Sequence, residues 1–256
     1  MLRAIALPAF EDNYIWLLAP PCGEALVVDP GEPGPVLQAA ADGLKPVAIV
    51  LTHHHADHVA GAAMLAARFG IPCHAPEDER ITAATARVAH GDRVRVDALD
   101  VTLDVIGVPG HTLSHVAFHG AGHLFCGDTL FSLGCGRMFE GQPAQFLASL
   151  ERLAALPADT AVCCGHEYTE ANGRFSRAVE PDNPTRDQRL AQVQALRARG
   201  LPSLPSTLGS ERDCNPFLRI DQPGLQASLT QHLGRPPRDR AEAFGALRQW
   251  KDTFKP

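Results

Sequence analysis

Seven cysteines in 256 residues, odd in number and without a Cys-x-x-Cys pair, do not form a disulfide framework, so a reducing compartment is expected. No apolar stretch is long enough to cross a bilayer, and residues 1–10 lack the sustained apolar centre of a secretory signal, so the expected location is cytoplasmic, with no membrane partner. There is no long run of Lys and Arg, the basic residues do not alternate with aromatics, and the net charge is −6, which argues against nucleic acid as a partner. No Gly-x-Ser-x-Gly elbow is present, so nothing points to a serine nucleophile. Internal repeats and low-complexity tracts are also missing. The length allows one or two domains with a sizeable core.

Four histidines and an aspartate crowd into Thr52-His53-His54-His55-Ala56-Asp57-His58. The run Pro46-Val47-Ala48-Ile49-Val50-Leu51 before it is short, apolar and β-branched and reads as a buried strand, which puts the cluster on the loop at the strand's end. His53 and His55 are two apart, so in extended chain they point to one side and can share an ion, while His54 points away. Asp57 and His58 open a helical pattern over 59–69 that Gly70 ends, and from there they can face a second ion. Such a two-ion pocket needs more donors, because each ion takes roughly four or five ligands with one position kept for water. His111, Asp128 and His166 each follow an apolar run and stand beside a glycine that permits a tight turn. Asp29, at the end of Leu26-Val27-Val28, is a candidate to orient one of the histidines from behind, or else a plain strand-end aspartate.

These residues resemble the metallo-β-lactamase superfamily, whose His-x-His-x-Asp-His loop is followed by a His, an Asp and a final His. The resemblance implies an α/β fold, an αββα sandwich with a smaller C-terminal helical domain. It also implies that His53, His55, His111 and Asp128 hold one metal, and that Asp57, His58, Asp128 and His166 hold the other. Two divalent ions per chain are expected, zinc first, with iron or manganese compatible with the same donors. The chain's own pattern agrees in outline, with strands expected around 14–18, 25–29, 94–96, 101–108, 116–118 and 123–126.

Closer matches narrow the substrate. Pro8-Ala9-Phe10-Glu11-Asp12-Asn13-Tyr14-Ile15-Trp16-Leu17-Leu18, Gly127-Asp128-Thr129-Leu130-Phe131, Gly134-Cys135-Gly136-Arg137, Cys164-Gly165-His166-Glu167-Tyr168-Thr169, Pro205-Ser206-Thr207 and Asn215-Pro216-Phe217 together look like glyoxalase II, the hydroxyacylglutathione hydrolases. The resemblance implies hydrolysis of a glutathione thioester, typically S-D-lactoylglutathione, to D-lactate and glutathione, the second step of methylglyoxal detoxification. It further implies that Arg137 and Tyr168 hold the glutathione part, that Phe139 stands where the family often has Tyr, and that Arg248 and Lys251 take a glutathione carboxylate. The last pair has independent support, since residues 241–251 read as a helix and positions three apart share a face. Ser114 departs from the family's usual Gly, which bears on the backbone after His111.

A boundary is expected near Gly173, giving a metal-binding catalytic domain at 1–173 and a helical substrate-binding domain at 174–256, with a helix over 188–199. Residues 1–173 carry 9 Lys and Arg against 20 Asp and Glu, a net of −11, and residues 174–256 carry 14 against 9, a net of +5. A basic part suits a small anionic substrate. The expected nucleophile is hydroxide made by the two metals from water, with Asp128 bridging them and a thiolate as leaving group. A monomer is expected. Cys163 and Cys164 read as small buried hydrophobes, while Cys126 and Cys135 flank the site without a catalytic role. His54, His74, His90, His115, His119, His123 and His232 read as surface or hydrogen-bonded histidines. Two alternatives stand beside this reading: a persulfide dioxygenase with a single iron, and a non-enzymatic metal-binding or nucleic-acid-binding module. The full ligand set and the Arg248 and Lys251 end favour the hydrolase.

Overall fold

The computed structural model describes residues 2–21 and 23–255, so Met1, Cys22 and Pro256 lie outside the described residues. In chain order the elements are β1 (Arg3–Ala9), β2 (Asn13–Ala19), β3 (Gly23–Val28), α1 (Gly34–Ala41), β4 (Leu44–Val50), α2 (Ala56–Val59), α3 (Ala62–Phe69), β5 (Cys73–Pro76), β6 (Ala86–Val88), β7 (Arg93–Val96), β8 (Val101–Gly107), β9 (Val116–Gly120), β10 (His123–Gly127), β11 (Leu130–Phe131) and β12 (Gly134–Cys135). They continue with α4 (Pro143–Ala154), β13 (Ala161–Cys164), α5 (Thr169–Val179), α6 (Pro184–Arg197), β14 (Ser206–Thr207), α7 (Leu208–Cys214), α8 (Pro223–Leu233) and α9 (Arg240–Thr253). Two compact units form. The first holds residues 1–108, 114–127 and 163–166, and the second holds 109–113, 128–162 and 167–256.

The first unit is built on two sheets. One runs β1-β2-β3-β4-β5-β6, antiparallel through β3 and parallel from β3 to β6. All seven residues of β2 are buried, so the strand shows no alternation, as expected where both faces of a sheet are covered. On one face Ile15, Leu17, Val27 and Ile49 pack with Val36 of α1 and Leu65 of α3. On the other, the Trp16 indole Nε1 donates to the Cys164 carbonyl at 2.9 Å, reaching the end of β13 in the second sheet. That sheet continues through β10, β9, β8 and β7.

In the second unit, Ala161 and Val162 at the start of β13 pair with Thr207 and Ser206 of β14. There β11 and β12 make a two-stranded hairpin, Leu130 opposite Cys135 and Phe131 opposite Gly134. The remaining elements are helices: α4 meets α9 through Phe146 and Phe244, and Phe175 of α5 stacks on Phe217 in the turn after α7.

The predicted strands and the late helices are present. The helix predicted over 59–69 is instead α2 and α3, interrupted at Gly61. Its amide donates to the Pro30 carbonyl at 2.9 Å, and a Cβ there would lie 2.6 Å from that oxygen, so a continuous helix with a side chain has no room. Gly70 does end α3 in the left-handed conformation. Strand β1 carries no sharp sequence signal and owes its existence to pairing with β2 over its full length.

Candidate metal centre

The first unit gathers its imidazoles and carboxylates at the C-terminal ends of β3, β4 and β13, the place where open α/β sheets leave side chains free of the ladder. Asp29 follows β3 in a left-handed conformation (φ 50°) that turns its carboxylate under the next strand end. It accepts from the Thr52 amide at 2.7 Å, from the Thr52 hydroxyl at 2.6 Å and from His58 Nδ1 at 3.0 Å. Because the single hydroxyl proton of Thr52 goes to Asp29, the 3.0 Å contact between Thr52 Oγ1 and His53 Nδ1 needs the proton on His53. His53 Nε2 then presents its lone pair 3.1 Å from His55 Nδ1. Two imidazole lone pairs at that separation repel unless a proton or a cation sits between them.

Asp57 and His58 lie in α2, whose preceding residue, His55, is still extended. His58 is buried, its Nδ1 held by Asp29 and its Nε2 3.5 Å from Asp57 Oδ2. His166 follows β13. Its Nδ1 donates to Asp12 Oδ1 at 2.8 Å, and its Nε2 lies 3.4 Å from the same Asp57 oxygen, which also accepts from Asn13 Nδ2 at 2.9 Å. Asp57, His58 and His166 bring one donor atom each within 4.8 Å of one another, as do Asp29, His53 and His58. Gly31 permits the close packing behind them, since a Cβ there would fall 1.8 Å from the Asp57 carbonyl oxygen.

The second unit holds His111 and Asp128. His111 Nδ1 donates to the Arg137 carbonyl at 2.8 Å, and its Nε2 lies 3.5 Å from Asp128 Oδ2. Four of the predicted ligands, His53, His58, His111 and His166, therefore share one arrangement. Each has one ring nitrogen fixed by an oxygen acceptor, which selects the tautomer whose other nitrogen can bind a metal. The donor set, imidazoles and carboxylates with the tautomers set from behind, fits divalent metal ions.

The cations expected to grip substrate also lie in the second unit. The Arg137 side chain is 67% exposed, with Nε 3.8 Å from Asp252. Phe139 is exposed, its amide donating to the His111 carbonyl at 3.3 Å and its ring edge-on to the imidazole. Tyr168 stands edge-on to Phe131 at 5.3 Å. Arg248 is 5% exposed. Its Nη1 donates to the Cys135 carbonyl at 2.7 Å and its Nη2 to Asp252 at 3.0 Å. Lys251 Nζ sits 5.5 Å over the Phe175 ring, and burial, then the nearby Arg248 and Arg174, bring its pKa down to about 8. Burial raises the Cys135 thiol to about 11, so it is a neutral thiol near pH 7 and no nucleophile.

Asp29, which the sequence leaves open between an orienting residue and a plain strand-end aspartate, is buried and holds His58 Nδ1 and Thr52. Nothing in the sequence alone marks Asp12, Asn13 and Thr52 as residues that orient the donors, as they do here. The polar Asp12-Asn13 pair only stands between two apolar strands, inside a stretch that already carries the resemblance. His115, one of the histidines without a ligand role, is buried and stacks on His53 with centroids 4.6 Å apart. Ser114, the departure from the family pattern, donates to Asp78 at 2.6 Å. The six cysteines among the described residues are buried and unbridged. No helix among the described residues is long and apolar enough to cross a membrane.

Comparison with known proteins identifies the family. Residues 9–166 match the metallo-beta-lactamase superfamily, and residues 167–254 match the hydroxyacylglutathione hydrolase C-terminus. The chain is 51% identical to the hydroxyacylglutathione hydrolase of Xanthomonas campestris pv. campestris, over 99% of this chain and 100% of that one. It is also 51% identical to the protein of the same name from Stenotrophomonas maltophilia, again over 99% and 100%. Among solved structures, ETHE1 from Myxococcus xanthus superposes with a TM-score of 0.64 at 23% identity, covering 98% of this chain and 97% of that one, which shows the shared fold. TTHA1623, solved in a di-iron-bound form, superposes at 0.58 with 25% identity, covering 84% and 100%.

Proposed function

This chain belongs to the hydroxyacylglutathione hydrolase family of the metallo-β-lactamase superfamily, and we propose that it hydrolyses the thioester of S-(2-hydroxyacyl)glutathione, S-D-lactoylglutathione first, to the 2-hydroxy acid and glutathione. The observation that carries the metal chemistry is the common arrangement of His58, His111 and His166, each held at Nδ1 by an oxygen acceptor. In this reading His53, His55, His111 and Asp128 hold one divalent ion, and Asp57, His58, Asp128 and His166 hold the second. Zinc suits these donors, as do iron and manganese, and the di-iron form of TTHA1623 supports a two-metal site. When bound, such ions supply Lewis acidity and make water a nucleophile near neutral pH.

The chain's residues do the rest. Asp29, Thr52 and Asp12 fix imidazole tautomers, and Asn13 fixes the Asp57 carboxylate. Arg137 and Tyr168 hold the glutathione part, Phe139 packs on it without the hydroxyl of a tyrosine, and the Arg248 and Lys251 end attracts a glutathione carboxylate. The sulfur leaves as thiolate, which with a thiol pKa of roughly 8.5 needs little help from an acid. Residues 1–173 carry the metal-binding residues together with Arg137, Phe139 and Tyr168, and residues 174–256 add Arg248 and Lys251 to the substrate site of a cytoplasmic monomer.

The test is hydrolysis of S-D-lactoylglutathione by a preparation of known metal content, beside a chelated control and an oxygen-uptake assay with glutathione persulfide. Chelator-sensitive cleavage with about two metals per chain is expected. Oxygen uptake faster than thioester cleavage would overturn the reading in favour of the iron dioxygenase.

A further inference from the structure

The turn that aims Arg137 is unfavourable by itself. Between β11 and β12 the chain reverses over Ser132 and Leu133, and Leu133 is left-handed at φ 59°. A branched side chain in that conformation at the second central position of a two-residue turn is where glycine or asparagine is the usual choice. Such a conformation persists only where its surroundings determine it.

The surroundings are a fully buried carboxylate and a fully buried amide. Glu211 of α7 accepts from the Ser132 hydroxyl at 2.8 Å through Oε1, and from the Leu133 amide at 2.8 Å and Asn215 Nδ2 at 3.1 Å through Oε2. Asn215 Nδ2 also donates to the carbonyls of Phe131 at 3.0 Å and Gly134 at 2.9 Å, on the two sides of the turn. Glu211 and Asn215 are both 0% exposed, and their partners lie in the hairpin about 80 residues earlier. From this hairpin the chain runs directly through Gly136 to Arg137, whose side chain stands in solvent.

We propose that Glu211 is a positioning residue for substrate. With Asn215, it holds the strained Ser132-Leu133 turn so that Arg137 points at the glutathione part of the thioester. This inference rests on the role proposed above for Arg137. It concerns hydrogen-bond geometry rather than charge, which gives a rescue test. In Glu211→Gln the amide oxygen can take the place of Oε2 and accept from Leu133 and Asn215, while the amide nitrogen donates to Ser132, whose hydroxyl can accept. In Glu211→Leu the Leu133 amide and the Ser132 hydroxyl are left buried without their acceptor.

The experiment is a double-mutant cycle between Glu211 and Arg137, read as KM and kcat for S-D-lactoylglutathione, as glutathione affinity by calorimetry, and as metal content. Glu211→Leu should weaken glutathione affinity and raise KM by about tenfold, with kcat and metal content close to the parent. Glu211→Gln should restore most of the affinity. In an Arg137→Ala background, Glu211→Leu should cost less than about twofold further. Should Glu211→Leu not fold, Ser132→Ala removes one donor only and enters the same cycle with a smaller effect. An affinity loss that is undiminished in the Arg137→Ala background, a Gln variant as impaired as Leu, or a fall in metal content that tracks kcat would overturn the proposal. A parent that binds glutathione but leaves the thioester intact would instead overturn the proposed reaction, and the calorimetric cycle would still decide the role of Glu211.

Discussion

His58 and His166 are equivalent in sequence terms, one histidine each toward Asp57, yet they are held by different means. Asp29, behind His58, is 4% exposed and makes three hydrogen bonds, two of them to Thr52. Asp12, behind His166, is 40% exposed and sits in the turn between β1 and β2. A buried carboxylate with several donors is both an orienting group and a structural junction, whereas an exposed one can orient a ring with little effect on the fold. The difference separates two kinds of support for one kind of ligand.

The largest effect is expected at the buried side. Asp29→Ala strands the Thr52 amide, the Thr52 hydroxyl and His58 Nδ1 inside the unit, so unfolding free energy should fall by about 3 kcal/mol or more in a denaturant titration. Metal affinity should fall with it, by about 10- to 100-fold. Asp12→Ala should lower metal affinity by about tenfold while the unfolding midpoint hardly moves. If both variants lost stability equally, the contrast between the two supports would be wrong.

The substrate-binding residues extend the comparison to weaker effects. Lys251, with its pKa lowered to about 8, carries its charge below that pH and loses it above, well before an ordinary lysine near 10.5. Its attraction for a carboxylate is therefore present at pH 7 and fades as pH rises through 8. KM should rise by about fivefold between pH 7 and 9.5 with kcat changing less, and Lys251→Met should flatten that rise. A KM profile that is the same in the variant would remove Lys251 from the binding site. The smallest effect belongs to Phe139→Tyr, which restores the hydroxyl common in the family on an exposed ring, and should lower KM by about threefold at most.

The donor-rich loop was legible because its side chains are close together: His53, His55, Asp57 and His58 sit within six residues at the end of a strand whose apolar run announces it. His111, Asp128 and His166 were legible from a repeated context, an apolar strand followed by a glycine turn. The two helices at 56–69 read as one because the break at Gly61 depends on the Pro30 carbonyl, which is 31 residues away in sequence. The supports of the ligands were less legible still. Asp12 is separated from His166 by 154 residues, and Glu211 from Ser132 by 79, and neither acid has a local pattern that marks it as buried or paired. Arg248 shows the same limit. Helical spacing put it on a face with Lys251, but the spacing did not reveal that its guanidinium donates to the Cys135 carbonyl.

The sequence by itself determined which side chains carry metal-donor chemistry and the order in which they arrive, because donor chemistry and strand-end turns are written in short windows. It also determined helical character over 188–199 and 241–251 through periodicity, while the ends, Pro184–Arg197 capped by Asn183 and Arg240–Thr253 capped by Asp239, emerge in the structure. Only the tertiary structure decided which nitrogen of His58, His111 and His166 faces its neighbouring donors, which carboxylates are buried behind them, and how a left-handed Leu133 is held. Those outcomes depend on hydrogen bonds between segments tens to more than a hundred residues apart. No local window contains both partners of such a bond, so the folded chain alone selects them.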